Sequence, residues 1–319
     1  MADLIEVESL SKRFGAIVAV DDVSFSVARG VVMGFLGPNG AGKSTTMRVI
    51  TGYLPPTSGT ARVLGKDIQR SPVEVKRSIG FLPEGAPLYG DMTVMAFLEF
   101  IARIRDVHGV RRQQRIQYSI ERMGLEQVLY QRIETLSKGF KRRVGFAQAI
   151  LHDPDVLILD EPTDGLDPNQ KHHVRELIRE LGKNKAIIIS THILEEVDAV
   201  CDRAVIIDRG RVVMNGTPSE LHAKSRRYNS VVVRVKADVA PKAAKLLRGL
   251  PHVTAVESSA PVNGSVPLVV VPRDGRFIAD EVGIAVRQNG IEVDEMHTQV
   301  VHLDEVFRQL TVGQEKPLR

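Results

Sequence analysis

The amino-acid sequence predicts an α/β protein followed by a small α+β domain. Three observations carry that reading. An apolar run, Val31–Leu36, leads through a glycine-rich turn into the helical pattern Lys43–Thr51. Two further apolar runs, Val156–Leu159 and Ala186–Ile189, are separated by a helical stretch, Asn169–Leu181, as a parallel sheet requires. Beyond residue 229 the order becomes strand, helix, strand, strand, helix, strand, which suits a ferredoxin-like arrangement. At 319 residues the chain exceeds one ordinary domain of about 100–200 residues, so two are expected.

In chain order, Leu4–Glu8, Ala16–Val20 and Val23–Val27 read as short strands. Ser24 and Ser26 alternate with apolar neighbours in the last of them, which suits a half-exposed antiparallel start. The strand–loop–helix unit at Val31–Thr51 comes next. From about Pro87 the pattern turns helical, with Val94–Ile104 strongly apolar and a basic surface stretch at Arg103, Arg105, Arg111, Arg112 and Arg115. We read a helical insertion over about 87–150. Ala204–Asp208 and Arg211–Asn215 flank the turn Arg209-Gly210, a hairpin that closes the first domain at about residue 222. After a polar link at Ala223–Asn229, the second domain (229–312) reads as strand Val231–Val235, helix Lys242–Leu250 and strands Val253–Ser258 and Pro267–Val271. Helix Phe277–Arg287, strand Ile291–Met296 and a last helix Leu303–Leu310 complete it, before a polar tail, 313–319.

Composition narrows the function. Hydrophobic residues at 43% and charged residues at 26% give the balance of a globular protein with a full core. The longest apolar runs, such as Leu268–Val271, fall far short of the roughly 20 residues that cross a bilayer. Asp3, Glu6 and Glu8 interrupt the start, so no signal peptide is expected, and a cytoplasmic location is. Cys201 is the only cysteine, which excludes an internal disulfide and suits a small buried hydrophobe. Aromatics at 5% and the absence of Trp remove most stacking platforms, so direct nucleic-acid binding is not expected.

The chemistry begins at Gly37-Pro38-Asn39-Gly40-Ala41-Gly42-Lys43-Ser44, in which Gly37 and Gly42 are separated by four residues and followed by Lys and a hydroxyl residue. Glycine lets backbone N–H groups converge on phosphate oxygens, and the helix starting near Lys43 offers its positive end. Ser44 suits Mg²⁺, and Thr45, next to it, is a candidate nucleotide-binding residue. Val156–Asp160 is an apolar strand ending in a carboxylate, with Glu161 directly after it. Asp160 is placed to hold the Mg²⁺ shell, and Glu161 to take a proton from an attacking water.

With these elements, residues 4–222 resemble the nucleotide-binding subunit of an ATP-binding cassette (ABC) transporter. Leu136-Ser137-Lys138-Gly139-Phe140 stands where that family usually has Leu-Ser-Gly-Gly-Gln. The resemblance implies that Ser137 and Gly139 touch the γ-phosphate held by the opposite subunit; Ser137 also suits a helix N-cap, and both readings hold together. Gly165-Leu166-Asp167-Pro168 resembles the D-loop, with Asp167 at a dimer seam. His192, after Ser190-Thr191, resembles the switch histidine that orients γ-phosphate and water. Phe14 resembles the aromatic that stacks on adenine, although a core role also suits it. Glu84, within Gly80-Phe81-Leu82-Pro83-Glu84, replaces the usual Gln; a carboxylate can ligate Mg²⁺ but, when ionised, donates no hydrogen bond. Pro83–Tyr89 resembles the ABC-2 export branch.

The resemblance thus implies a phosphate-loop ATPase with an antiparallel β subdomain and a helical subdomain, acting on ATP with Mg²⁺. Two copies would sandwich the nucleotides, peripheral on the cytoplasmic face of a multi-span membrane permease. The rival is a soluble ABC ATPase acting on ribosomes or DNA. One cassette without sustained heptads weighs against it.

Overall fold

A computed structural model describes residues 3–85, 88–225, 227–261 and 264–299 of the chain. It divides into two compact units, Met1–Pro218 and Ser219–Arg319. The first opens with β1 (Asp3–Phe14) and β2 (Ile17–Ala28), paired antiparallel. The runs expected separately at Ala16–Val20 and Val23–Val27 are therefore one strand. A bulge absorbs the polar break between them: Asp22 takes φ 53° and its N–H donates to Ser11 Oγ at 3.0 Å.

Next come β3 (Val32–Leu36), α1 (Lys43–Ile50), β4 (Ser58–Val63), β5 (Lys66–Asp67), α2 (Pro72–Ser78) and β6 (Ile79–Leu82). The four elements after α1 escape sequence reading because they are short and lack a sustained period. The helical insertion holds α3 (Val94–Ile104), α4 (Gly109–Met123) and α5 (Lys138–Ile150). The core resumes with β7 (Val156–Asp160), α6 (Pro168–Gly182), β8 (Ala186–Thr191), α7 (Leu194–Val200), and the hairpin β9 (Arg203–Asp208) and β10 (Arg211–Gly216).

Two sheets result. One has the antiparallel order β2-β1-β4-β5; the other has the order β10-β9-β3-β8-β7-β6, parallel except for β10. The second sheet is covered on both faces, and successive residues of its strands divide between two cores. Val156 and Ile158 of β7, with Ala186 and Ile188 of β8, pack with Phe25, Phe35 and Met47. Leu157, Leu159, Ile187 and Ile189 pack with Phe97, Ile120 and Phe146 of the helical insertion. This explains runs that are apolar throughout rather than alternating. Cys201 packs against the helical core, as a small hydrophobe does.

The second unit begins with α8 (Pro218–His222) at its boundary, then β11 (Val231–Lys236), α9 (Ala240–Arg248), β12 (Val253–Ser258), β13 (Ser265–Pro272), α10 (Ala279–Gln288) and β14 (Glu295–Thr298). Its sheet order β12-β13-β11-β14, all antiparallel, is that of a ferredoxin-like fold. The last strand starts later than the expected Ile291. Gly290 ends α10 at φ 63°, and the Ile291 N–H still donates to Val286 O at 3.0 Å, so Ile291 caps the helix and enters the core there. The helix expected over Leu303–Leu310 and the tail at 313–319 lie outside the described residues.

Gly80 marks where α5 closes on β6. A methyl there would come 2.1 Å from Ala149 O and 2.6 Å from Leu157 Cδ2. Gly80→Ala is expected to cost about 1–3 kcal/mol, lowering Tm by about 2–12 °C. An unchanged melting curve would show that the helix does not close on this strand.

Candidate functional site

The C-terminal ends of β3, β7 and β8 lie side by side, so the segments leaving them share one edge of the sheet, where ligands collect in open parallel folds. After Leu36 the chain makes the glycine turn and enters α1. Gly42 takes φ 106°, and a Cβ on it would lie 2.4 Å from Ala19 O, so both conformation and space demand glycine. At Gly40, φ 80°, an added Cβ would meet no protein atom within 4 Å, so there the backbone conformation alone favours glycine. The first N–H groups of α1, at Lys43, Ser44 and Thr45, have no acceptor within the helix and remain available as donors.

Lys43 is buried, and its Nζ donates to Gly37 O at 2.7 Å and Pro38 O at 3.1 Å. Burial pulls its ammonium below the ordinary lysine value, against the attraction of Glu161, Asp160 and Glu84.

Asp160 ends β7, buried, directly opposite Ser190 of β8, whose Oγ donates to its Oδ1. Glu161 follows at φ 50°, a left-handed conformation that strains a residue bearing a Cβ. Its N–H donates to Ser190 Oγ at 3.0 Å and to Ser190 O at 3.2 Å. Its C=O accepts from Arg142 Nη2 at 2.5 Å. So held, Glu161 Oε1 lies 2.9 Å from His192 Nδ1.

Asn39, Gly40, Gly42, Lys43, Ser44 and Thr45 line one cavity of about 320 Å³ together with Ala19, Glu84, Glu161 and His192. Gly37 and Pro38 form the base of the turn, where Ala41 N–H donates to Pro38 O at 3.1 Å. Asp160 stands behind the cavity wall through Ser190. Nitrogen donors on one side and the oxygens of Ser44, Glu84 and Glu161 on another suit a phosphate chain with a hard divalent cation.

The other expected residues stand apart from this cavity. Ser137 caps α5, its Oγ accepting from Phe140 N–H at 3.3 Å. Gly139 abuts the D-loop segment, where a Cβ would come 3.2 Å from Gly165 O. Asp167 caps α6, accepting from Gln170 N–H at 2.9 Å. Phe14 ends β1 at 47% exposed, which removes the core reading, with Lys12 Nζ 5.1 Å from its ring centre.

The departure at Lys138 has a local partner: Nζ lies 2.8 Å from Asp164 Oδ2, and its methylenes cover Gly165. The hydrogen bond from Lys138 holds the Asp164 carboxyl below the usual carboxylate range.

Three supporting residues were not singled out from sequence. Ser190 had a signal only in its place at a strand end. Arg142 had one in being a cation on a helix face between apolar positions. Glu196 had none: it is buried, accepts from Thr163 Oγ1 and, at 2.7 Å, from Thr191 Oγ1, and lies 3.6 Å from Arg175, joining the segment after β7 to the end of β8 beside His192.

Known proteins resemble this chain in sequence and fold. The ABC transporter family pattern matches residues 20–164. The uncharacterized ABC transporter ATP-binding protein YxlF of Bacillus subtilis (strain 168) is 35% identical over 305 residues, covering 94% of this chain and 100% of that protein. The probable multidrug ABC transporter ATP-binding protein YbhF of Escherichia coli (strain K12) is 37% identical over 226 residues, 70% of this chain; the match spans only 38% of that longer protein. A solved ATP-binding subunit of an ABC transporter superposes with a TM-score of 0.65 at 34% identity, covering 69% of this chain and 92% of that one. With sequence relationship along nearly its whole length and the cassette fold around its glycine loop, the chain belongs to the ATP-binding proteins of the ABC transporter family.

Proposed function

We propose that this chain binds and hydrolyses ATP with Mg²⁺ and so energises transport through a separate membrane permease. The observation that carries the reading is the single cavity that joins Lys43, Ser44 and the glycine turn to Glu161 and His192. A phosphate chain in the turn gives the Lys43 ammonium anionic acceptors in place of the Gly37 and Pro38 carbonyls, and charge-assisted hydrogen bonds are the stronger. Bound Mg²⁺ would neutralise charge on the terminal phosphate oxygens, with Ser44 and Glu84 offering oxygens in the cavity and Asp160, outside its lining and bonded to Ser190, completing the acidic surroundings. Glu161 accepts the proton of the attacking water. His192, hydrogen-bonded to the same carboxylate, keeps it aimed and presents its ring to the terminal phosphate.

Ser137, Gly139 and Asp167 lie outside this cavity and serve that of a second copy, so that two subunits close on two nucleotides. Closure then depends on the γ-phosphate, because a ligand shifts an equilibrium only by binding one state better than the other. Among the described residues no helix is long and apolar enough to cross a membrane; in this reading the channel belongs to a separate polypeptide, on whose cytoplasmic face this chain sits. Export is the direction favoured by the residues Pro83–Tyr89, of which 86 and 87 lie outside the described residues, and by the names of relatives such as the Nod factor export ATP-binding protein I of Ralstonia nicotianae.

Glu161→Gln is expected to retain nucleotide binding while hydrolysis falls by about 10²–10⁴-fold, with Mg-ATP driving a dimer visible by light scattering. Turnover within about threefold of the parent would remove Glu161 as the base. Lys43→Ala is expected to weaken ATP binding by at least about 10–100-fold in a titration with a fluorescent nucleotide, and retained tight binding would count against the loop assignment.

A further inference from the structure

Arg142 belongs to none of the motifs that suggest a role for the other residues of this site. It lies on α5 in the helical insertion at 6% exposed. The hydrogen bonds it makes among the described residues all go to backbone carbonyls: Nη1 donates to Pro83 O at 2.9 Å, and Nη2 donates to both Asp160 O and, at 2.5 Å, Glu161 O. Burying a guanidinium costs several kcal/mol unless the surroundings compensate, and an apolar side chain of similar volume would fill the same space without that cost. The placement therefore asks what the charge and its planar fork achieve there.

The two carbonyls on Nη2 answer it. They belong to the peptide planes on either side of the Glu161 Cα, and the angle between those planes is what φ and ψ of Glu161 describe. One nitrogen bridging both oxygens sets their mutual orientation. The opposite side is fixed by Ser190, which accepts the Glu161 N–H on its Oγ and its own carbonyl. Together they hold a left-handed conformation, φ 50°, that otherwise costs of the order of 1–3 kcal/mol at a residue with a Cβ. That conformation turns the carboxylate into the cavity beside His192 rather than along the strand.

The other end of the fork reaches Pro83. Its carbonyl accepts from Nη1, the residue lines a groove of about 500 Å³ with Tyr53, Phe81, Ile104, Lys76 and Arg105, and the next residue, Glu84, lines the nucleotide cavity.

We propose that Arg142 is a positioning residue, which locks the backbone of Glu161 in the conformation needed for catalysis and ties it to the Pro83–Glu84 segment. This role rests on Glu161 acting as the base. Arg142 is buried and is not among the residues lining the nucleotide cavity, so its effect falls on the chemical step and spares ATP binding.

The test compares Arg142→Met, Arg142→Gln and Arg142→Lys in the full chain, each alone and combined with Glu161→Gln, by single-turnover hydrolysis, KM for ATP, nucleotide titration and thermal melting. Arg142→Met is expected to lower kcat by about 10–100-fold, the effect of misplacing a reacting group by about 1 Å, with KM changed by less than about threefold. Arg142→Lys, whose ammonium still offers three donors to the carbonyls, is expected to recover at least about fivefold of that loss, with Gln between Met and Lys. In the Glu161→Gln background the same changes should cost no more than about twofold further, because a residue acting through Glu161 has nothing left to position.

A normal kcat in Arg142→Met, losses that multiply in the double variants, or a rise in KM matching the fall in kcat would each overturn the assignment. Should Arg142→Met melt below the assay temperature, the graded Gln and Lys variants decide by the same criteria. Full activity of Glu161→Gln by itself would remove the base, whereas an inactive Glu161→Gln with a normal Arg142→Met would leave the base standing and remove only the positioning role.

Discussion

Register between β7 and β8 governs the site because each of these strands is buried on both faces against different cores. A slip of one residue would carry Leu157 and Leu159 from the helical core to the core shared with the first sheet, and would send Val156 and Ile158 the other way. Those two cores differ in the shapes they present, so the pairing has one low-energy solution. With the register settled, Asp160 must stand opposite Ser190, and that serine satisfies a buried carboxylate oxygen and the N–H of the next residue at once. The chemistry at the strand ends is thus a consequence of packing in the middle of the sheet.

Strain and its compensation are concentrated in one peptide segment. Glu161 departs from strand geometry immediately after the last ladder position, and its flanking polar groups are held by Ser190 from β8 and Arg142 from the helical insertion. Each such hydrogen bond in a buried setting contributes about 1 kcal/mol net, enough in sum to offset a left-handed residue. The glycine turn uses the opposite strategy. It avoids strain by omitting side chains where β2 and β9 press close, leaving backbone donors and Lys43 as the recognition surface. A rigid acidic arm and a cationic cradle therefore face each other across one cavity, each stiffened by different means.

The segment over Ser137–Phe140 shows how departures from a family pattern acquire local partners. Lys138 neutralises Asp164 and shields Gly165, joining the start of α5 to the segment before α6, while Phe140 stacks under Arg143 with the guanidinium 4.0 Å from the ring centre. The second unit has its own core, built by Val231, Val233 and Val235 of β11 with Leu247 of α9 and Val282 of α10. A closed core of this kind accounts for its compactness without reference to the nucleotide site.

Sustained patterns among neighbours along the chain could be read directly. The glycine spacing before Lys43, the apolar runs ending at Asp160 and Thr191, the hairpin around Gly210 and the strand–helix order of the second unit are local patterns, and local patterns are legible. Even the acidic pair and the single histidine at a core strand end were visible in that way. Tertiary structure alone decided the rest. That Ala16–Val20 and Val23–Val27 form one strand depends on a bulge opposite β1, and that Ile291 caps a helix instead of opening a strand depends on the core beneath it. The side chains of Ser190, Arg142 and Glu196 bond to partners 18 to 59 residues away, apart from the short link from Glu196 to Thr191. A hydrogen bond between distant segments leaves no periodic trace in either, because the spacing that creates it exists only once both have packed against the same sheet.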